Sequence, residues 1–340
     1  MRKALSAIFF LSVVLASYAT DFSEDRKRWE WLLGAPDTTY IESIANTLGL
    51  KVFYSNKFSS FDINSPNFKD NLMYKANSNN SVGVGFIYSF LDVNFGYSHN
   101  KSKNGDSKKI DFQTQMYLPT STWTIYINKY KGFYLSNPEK WIEDWSNGDS
   151  YTRDDIEAKS IRATMDYFFN HKHYSNKVLF AHQALQKKTA GSLVAGMVFC
   201  YNGVRGDSTL IHEKVVDSLN FNLDVTSTDY YSLGANVGYA LNVSIRKNWF
   251  ISGMLSPGVS FARNTQSSGE GSMTENTLNL YLQSEFGLGY NCRNFYIGAY
   301  RKQYLSRSSI GHEHESLDLR NGKTYVMFVY RIPVKSFSIF

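Results

Sequence analysis

Apolar and polar side chains alternate along much of this chain, and the clearest example is SVGVGFIYSFLDVNFGYSHN (81–100). A repeat of two residues predicts β-strands with two different faces. One face is bulky and apolar, and the other is small or polar. A soluble sandwich would bury the bulky face, whereas a membrane barrel would turn it toward lipid. The bulky set is Val82, Val84, Phe86, Tyr88, Val93, Phe95 and Tyr97.

The alternation recurs often enough to predict twelve strands. Many of them run for 10 to 14 residues, whereas strands of soluble sheets usually have about 5 to 6. A tilted strand needs about 9 to 11 residues to cross a bilayer, so these lengths favour a membrane barrel. The segments are 48–58, 81–90, 91–100, 108–118, 122–135, 177–186, 191–202, 230–242, 248–261, 277–290, 294–305 and 322–332.

The predicted connections alternate between long and short. The short ones fall near 90–91 and at 119–121, 187–190, 243–247 and 291–293. Outer-membrane barrels have this asymmetry, with short periplasmic turns and longer outer loops. The segment 160–170 resembles a thirteenth strand, but an odd count would break the alternation. We therefore place it inside a long third outer loop, 136–176; a pair of short strands there would restore the even count in another way.

Three predicted hairpins share this division into faces. Pairing Phe86 with Phe95 sets an apolar face against a face of glycine and polar residues. Aromatic residues gather near the short turns, where a membrane-interface girdle would lie. Ordinary cross-strand aromatic pairing is the alternative explanation. The other predicted pairs are Glu285 with Tyr300, Gln283 with Lys302, Leu241 with Trp249 and Tyr239 with Ile251.

The first residues, MRKALSAIFFLSVVLASYA, have the basic start, apolar run and small-residue end of a cleaved signal peptide. We expect residues 1–19 to be removed, 20–47 to form a periplasmic segment with a helix at 24–33, and 48–340 to form the barrel. Charged residues make up only 19% of the chain and aromatic residues 16%. The net charge of +6 is scattered rather than clustered, which argues against a nucleic-acid partner.

Five stretches together resemble a Gram-negative family catalogued as domain of unknown function 4421. They are 37–58, GVGFIYSFLDVNFGY (83–97), YKGFY (130–134), ALQKKTAGSLVAG (184–196) and LGYNCRNFYIG (288–298). The most specific piece is QKKTAGS (186–192), with Lys187, Lys188, Gly191 and Ser192. The resemblance covers about 37–332 and implies an outer-membrane barrel without an assigned activity, so it supplies no catalytic residue. This chain continues after Ile332 as PVKSFSIF, which leaves the end of the last strand open between Ile332 and Phe340.

Few residues point to chemistry. The pairs His171/His173 and His312/His314 lie in predicted loops without a clear third ligand, so a solvated loop is favoured over a metal site. A Ser192–His182 pair would need contact and a third orienting group to act as a hydrolase. Cys200 and Cys292 are expected to be small apolar fillers rather than a disulfide. Lys187 and Lys188 are expected to lie on the periplasmic rim beside anionic lipid headgroups.

The inward face near the end of the chain is more informative, since Gln283, Glu285, Tyr300 and Lys302 form a candidate lumen network. Inward glycines leave room where a narrow barrel bends or fills.

We predict an all-β protein, an antiparallel up-and-down transmembrane barrel of about twelve strands in the outer membrane, without a cofactor or metal. Its expected partners are outer-membrane lipids and, during insertion, the barrel-assembly machinery, while any solute or envelope partner is unknown. The functions left open are a channel, scaffold or export component; a lipid or peptide hydrolase; and a soluble secreted β protein.

Overall fold

The computed structural model describes residues 34–44, 47–66, 69–77, 79–88, 91–98, 107–141, 151–178, 184–211, 225–246, 248–269, 271–310 and 315–334. The predicted signal peptide and the helix at 24–33 lie outside these ranges. Within them the chain forms fifteen strands, with one 3-10 turn at Pro138–Lys140. The described residues contain no helix that is long and apolar enough to span a membrane. The strands are β1 (Ile41–Ser43), β2 (Thr47–Asn64), β3 (Leu72–Ala76), β4 (Asn79–Tyr88), β5 (Leu91–Ser98), β6 (Lys108–Tyr117), β7 (Ser121–Leu135), β8 (Thr152–Phe168), β9 (Ala184–Gln186), β10 (Ala190–Arg205), β11 (Val225–Ile245), β12 (Trp249–Ser268), β13 (Gly271–Asn291), β14 (Phe295–Ile310) and β15 (Glu315–Pro333).

The fold is an antiparallel β-barrel closed by pairing of the last long strand, β15, with the first, β2. Ten strands form the hydrogen-bonded ring: β2, β3, β7, β8 and β10 to β15. The hairpin β4–β5 extends from the first half of β2, and β6 extends from β7. We call the end of the barrel where β4 meets β5, β6 meets β7, β11 meets β12 and β13 meets β14 the turn end, and the opposite end the loop end. The wall has twelve strands at the turn end, as predicted, and ten at the loop end, where β3 bridges β2 and β7.

Two parts of the wall differ in their pairing. The closed wall, β11 to β13, has strands of 20 or 21 residues. Strands β11 and β12 are paired on both edges along most of their length, and β13 pairs with β12 throughout and with β14 over Tyr281–Asn291. The split wall, β4 to β6, has strands of 8 to 10 residues. In the described residues β5 pairs only with β4, and β6 pairs only with β7.

One predicted strand and one predicted loop are wrong. The segment 160–170, which we placed in an outer loop, belongs to the 17-residue strand β8, which pairs with both β7 and β10. In the predicted strand 177–186, only Ala184–Gln186 is extended; it pairs with β1 in a separate two-stranded sheet, and 179–183 lie outside the described residues. The predicted loop 136–176 is therefore a shorter connection at the loop end, then β8, then a segment at the turn end. The two errors offset one another, so the wall still has the predicted twelve strands at the turn end, although ten strands form the closed ring.

The predicted pairings have the right faces but the wrong register. The structure pairs Phe86 with Val93 and Glu285 with Lys302, a shift of two residues in each hairpin. In the third hairpin Trp249 pairs with Ile245 rather than with Leu241, a shift of four. Because side chains alternate with a period of two, an even shift leaves every residue on its face. The hydrophobic pattern therefore does not distinguish the predicted register from the observed one. In each hairpin the register depends on the geometry of the turn.

The outer face of the wall is apolar. Phe95, Val237, Leu255 and Leu278 are all more than half exposed, although large apolar side chains of soluble proteins are usually covered. Near the turn end, a row of touching rings crosses four strands, with Trp249, Tyr290, Phe295 and Phe328 separated by 5.4 to 6.0 Å between ring centroids. This row lies near the turns, where the girdle was predicted, and its rings also pair across neighbouring strands. The two explanations offered for the aromatic residues therefore describe the same rings.

The lumen is filled in three layers. At the turn end, residues 34–44, 169–178 and 184–189 form a plug that packs on barrel residues such as Phe53 and Tyr296. Polar side chains occupy the middle. At the loop end an apolar core closes the barrel around Phe61, Tyr74 and Phe133. Gly132 permits that last contact, since its φ of 91° makes a bulge that turns Phe133 inward.

The strands also extend farther toward the loop end than the sequence indicates. Most of the predicted loops 262–276 and 306–321 is ladder, joined by connections at 269–270 and 311–314. Strand β15 ends at Pro333, and 335–340 lie outside the described residues. A ladder of 21 residues measures about 70 Å along the strand, which is longer than a bilayer requires.

Candidate functional site in the barrel lumen

The middle layer contains a network of buried polar side chains. Asp166 on β8 accepts hydrogen bonds from the amides of Asn236, at 3.3 Å, and Gln283, at 3.1 Å. The Gln283 amide also lies 3.4 Å from Glu285, whose carboxylate forms an ion pair with Lys302. Four strands therefore contribute to one network of alternating charges and amides. Such a network holds its strands in place because each buried charge keeps a partner.

A second polar group lies nearer the loop end. The guanidinium of Arg162 lies over two rings, 3.9 Å from the centroid of Tyr304 and 5.0 Å from that of Tyr126. The amide of Asn128 donates to the Tyr126 hydroxyl at 2.9 Å and to Asn321 at 3.2 Å. The cation–π contacts with these two rings partly offset the loss of water around the buried guanidinium. These groups tie β7 and β8 to β14 and β15 across the lumen.

Small cavities remain between the side chains of the described lumen. One, of about 20 Å³, lies between β2, β6, β7, β8, β14 and β15, and a smaller one, of about 10 Å³, lies beside Asp166. Each has room for about one water molecule. The larger is lined by Lys57, Gln113, Tyr126, Arg162, Lys302, Tyr304, Asn321, Gly322 and Lys323.

The predicted network residues separate into two groups. Gln283, Glu285 and Lys302 all belong to the middle network. Tyr300 lies nearer the turn end, where its ring stacks on Tyr325 with the planes 3° apart. Sequence reasoning missed Asp166 and Arg162, since both lie on the strand that we assigned to a loop. The signal was present: in 160–168 polar residues fall on even positions and Ile161, Ala163 and Met165 on odd ones.

The family-like QKKTAGS stretch holds the plug. The side-chain amide of Gln186 donates to the backbone oxygens of His173 (2.6 Å) and Lys188 (3.0 Å), while its oxygen accepts from Asn242 on the barrel wall (3.1 Å). Asn176 donates to the oxygens of Leu118 and Ser121. A few side-chain amides thus satisfy the carbonyl groups of an irregular segment inside the barrel.

The two lysines of this stretch hold the N-terminal segment. The ammonium group of Lys187 lies 3.6 Å from Glu42 and donates to the Thr38 oxygen at 3.1 Å, and that of Lys188 lies over the ring of Tyr40. The placement of these lysines beside lipid headgroups stays a prediction. Gly191 makes room for the ring of Tyr239, since a Cβ there would lie 2.2 Å from its hydroxyl oxygen. The hydroxyl of Ser192 donates to Leu193 and accepts from the backbone N–H of Asn170.

Electrostatics reinforce the plug at its edge. Arg293, in the turn between β13 and β14, donates to the Glu42 carboxylate at 2.6 Å and holds the pKa of Glu42 below its usual value near 4.5. The backbone N–H of Thr39 likewise lowers the pKa of Asp37. Both carboxylates are therefore ionised at neutral pH and attract the cationic groups around them.

The structure lends no support to the other chemistry considered from the sequence. His171 and His173 contact Phe168 and Asn170 rather than converging on one point. Among the described residues no cluster of three His, Cys, Asp or Glu side chains has the geometry of a metal site. His182, His312 and His314 lie outside the described residues. The thiols of Cys200 and Cys292 are both free, with Cys200 buried.

Comparison with known proteins gives a family. The profile of "Domain of unknown function (DUF4421)" matches residues 35–331. This chain belongs to that family. No curated protein matches it.

Among solved structures, those similar to the DUF4421 chain are bacterial barrels with low identity. The outer membrane protease OmpT from Escherichia coli is 9% identical, with 86% of this chain and 98% of that one covered and a TM-score of 0.38. Ail, the attachment invasion locus protein of Yersinia pestis, is 11% identical over 83% and 99%, with a TM-score of 0.24. The toluene transporter TodX of Pseudomonas putida is 7% identical over 89% and 94%, with a TM-score of 0.25. Since every score is below 0.5, these likenesses say nothing about activity. The chain has an outer-membrane-type β-barrel fold.

Proposed function

We propose that this protein is an outer-membrane barrel with a lumen closed along its axis, and that it serves the cell envelope as a scaffold rather than as an open channel. The observation that carries this proposal is the filling of the lumen. A plug, a polar network and an apolar core follow one another along the axis, and the cavities described between them hold about one water molecule each. Buried side chains thus cross the axis at three depths in the part of the chain that the structure describes, which is the arrangement expected of a lumen closed to solutes.

The outer face supports a place in the membrane. On β12 the apolar outward positions run from Trp249 to Phe261, which is 13 residues and about 43 Å along the strand. At the tilt of about 45° found for membrane strands, this length spans about 30 Å, the thickness of the hydrocarbon core. Soluble monomers seldom expose contiguous apolar surface of this extent. Lipids and the barrel-assembly machinery are the partners that this placement implies.

Conductance in planar bilayers tests the proposal. The mature chain, reconstituted as a barrel whose gel mobility changes on heating, should give no current steps above background. A Gln186→Ala variant should also stay silent, because it loosens only the plug while the middle network and the loop-end core still fill the lumen. Steps from the unaltered protein would overturn the closed lumen.

The variant also tests a gated channel. If Gln186→Ala conducts while the unaltered protein does not, the plug is a gate and a channel function replaces the scaffold. A mature chain that stays in solution without detergent would overturn the membrane placement itself.

A further inference from the structure

Four lysines gather on the outer face of β6, β7 and β8, on the side toward the loop end. The β6–β7 ladder sets Lys108 opposite Lys131, and the β7–β8 ladder sets Lys129 opposite Lys159. The two lysines of β7 point outward, because Tyr130, which lies between them, is buried in the lumen. Their partners across the ladders share that face. We call these four lysines the basic patch.

The basic patch lies directly beyond the apolar part of the same strands. The next outward row toward the turn end consists of Phe112, Ile127 and Ile161, which pair with one another across the three strands. In the other direction around the wall, the ladders lead from Lys159 to Thr265, beyond the last apolar position of β12. At the proposed membrane position, the basic patch is therefore at the level where hydrocarbon gives way to lipid headgroups.

The charge of the basic patch is not balanced by the protein. Its carboxylate is that of Glu157, which lies 2.7 Å from the ammonium group of Lys129 and 2.9 Å from that of Lys159. Lys108 and Lys131 form no ion pair with any described residue. Four ammonium groups thus share one carboxylate, which leaves an excess of three positive charges.

This excess makes the basic patch unfavourable on its own. Like charges directly opposite one another on neighbouring strands destabilise a sheet, and Lys108 and Lys131 are such a pair. Neighbouring strands are about 4.8 Å apart, and two residues along a strand span about 7 Å. The four lysines therefore start from an area of about 10 by 7 Å, which is small enough for one phosphate group to reach several of them.

We propose that the basic patch binds the phosphate groups of a lipid in the leaflet at the loop end, with the acyl chains lying against Phe112, Ile127 and Ile161. The inference rests on the proposed membrane placement and goes beyond it by assigning a ligand. Clustered lysines bind phosphate through charge-assisted hydrogen bonds. A lipid with two phosphates matches the excess of positive charge, whereas the cation of a zwitterionic headgroup would meet the lysines with the same sign.

Retention of lipid by the folded full chain tests this ligand. The purified barrel is mixed in detergent with lipid A, which has two phosphates, or with phosphatidylcholine, and the lipids that remain bound are counted by native mass spectrometry. The unaltered protein should retain one lipid A in preference to phosphatidylcholine by about tenfold. The Lys108→Gln/Lys131→Gln variant should lose that preference. The control Arg263→Gln/Arg301→Gln removes two charges elsewhere on the outer face, where both arginines are exposed, and should keep it.

Stability in two kinds of vesicle separates binding from a structural role of the lysines. In phosphatidylcholine alone, Lys108→Gln/Lys131→Gln should resist urea at least as well as the unaltered protein, because it relieves the repulsion between the two lysines. When lipid A is added, the unaltered protein should gain stability and the variant should not. Equal losses of the variant in both kinds of vesicle would show that the lysines support the fold, and would overturn the lipid site.

The remaining outcomes distinguish the source of the phosphate and the proposed function. Inorganic phosphate at millimolar concentration should not displace lipid A, because it lacks the acyl contacts, and complete displacement would overturn a lipid as the ligand. A heat-modifiable barrel in vesicles that retains both lipids equally overturns the basic patch as a site and leaves the closed membrane barrel standing. A chain that does not enter vesicles overturns both.

Discussion

The closed wall and the split wall are built from the same alternation yet reach different states of pairing. In the closed wall, β12 shares 20 paired positions with β13 and is bonded along both edges. In the split wall, β5 shares 8 paired positions with β4 and has no second ladder among the described residues. Bonding on two edges makes a strand part of a cooperative sheet, whereas a strand bonded on one edge opens at lower cost. The barrel thus combines a rigid side with a side that can yield.

The largest effect should come from a charge in the middle of the closed wall. Leu255 is 55% exposed on the outer face of β12, and Leu255→Arg should destabilise the inserted barrel by about 2–4 kcal/mol, because the charge would lie in hydrocarbon. Urea titration of the protein folded into vesicles measures the loss. Thr265→Arg places the same charge on the same face of β12 beyond the apolar positions and should cost little. Equal losses from both variants would contradict the proposed membrane band.

A charge on the split wall should cost less. Phe95→Asp should lower the yield of inserted barrel and cost about 1–2 kcal/mol, since aspartate is tolerated better than arginine and β5 is paired along one edge only in the described residues. Its neighbour Asn94, on the inward face, offers the matched control, and Asn94→Asp should leave insertion intact. The fraction of heat-modifiable protein after folding into vesicles reports both. If the two variants were equally harmful, the assignment of faces on β5 would be wrong.

An ion pair between β2 and β5 supports the split wall from the inside. The ammonium of Lys51 on β2 lies 2.6 Å from the carboxylate of Asp92 at the start of β5, and Lys51 is buried while Asp92 is about one-third exposed. Asp92→Asn should weaken the attachment of β4–β5 by about 1 kcal/mol, a value reduced by the exposure of the aspartate. Hydrogen exchange should speed up in β4 and β5 and remain unchanged in β11 to β13. Faster exchange throughout the barrel would mean that the split wall does not open on its own.

The smallest effect belongs to the edge of the plug. Because Arg293 lowers the pKa of Glu42, the carboxylate stabilises the folded state fully above its unfolded pKa near 4.5, and this contribution is lost as the pH falls through the lowered pKa. Glu42→Gln should cost about 0.5–1 kcal/mol at pH 7 and less at pH 3. Proteolysis of the N-terminal segment in the folded barrel, measured at both pH values, tests this. An unequal effect that grows toward acid would contradict the sign.

The sequence predicts the faces of this barrel far better than its boundaries. Alternation sets which side of a strand is apolar, and this holds for Phe86 and Glu285 even where their partners are two residues away from the predicted ones. It fails beyond the membrane band, where both faces of a ladder are hydrated: TQSSGEGSMTENT (265–277) has no apolar period but is almost entirely strand. Backbone pairing needs no hydrophobic pattern once neighbouring strands are in register.

The plug and the middle network show why the site was only partly predictable. In the predicted strand 177–186, the described residues Val178 and Ala184 are buried in the plug rather than placed in the wall. Because 177–186 was counted as a strand, 160–170 was assigned to a loop. Asp166 and Arg162, which lie on β8, were therefore missed. Gln283, Glu285 and Lys302 were found because they lie on a hairpin whose faces were assigned correctly. A long-range contact such as that of Gln283 with Asp166 joins residues 117 positions apart, and no local pattern specifies it.

The difference between the two walls can be measured directly by amide hydrogen exchange on the barrel folded into vesicles, followed by mass spectrometry of its peptides. Half of the backbone amides of a strand point toward each neighbour in an antiparallel sheet. Peptides from β5 and β6 should therefore exchange about half of their amides within seconds to minutes, while peptides from β11, from β12 and from 281–291 of β13 should stay protected for hours. Protection of β5 and β6 equal to that of the closed wall would show a fully paired ring and contradict the split wall.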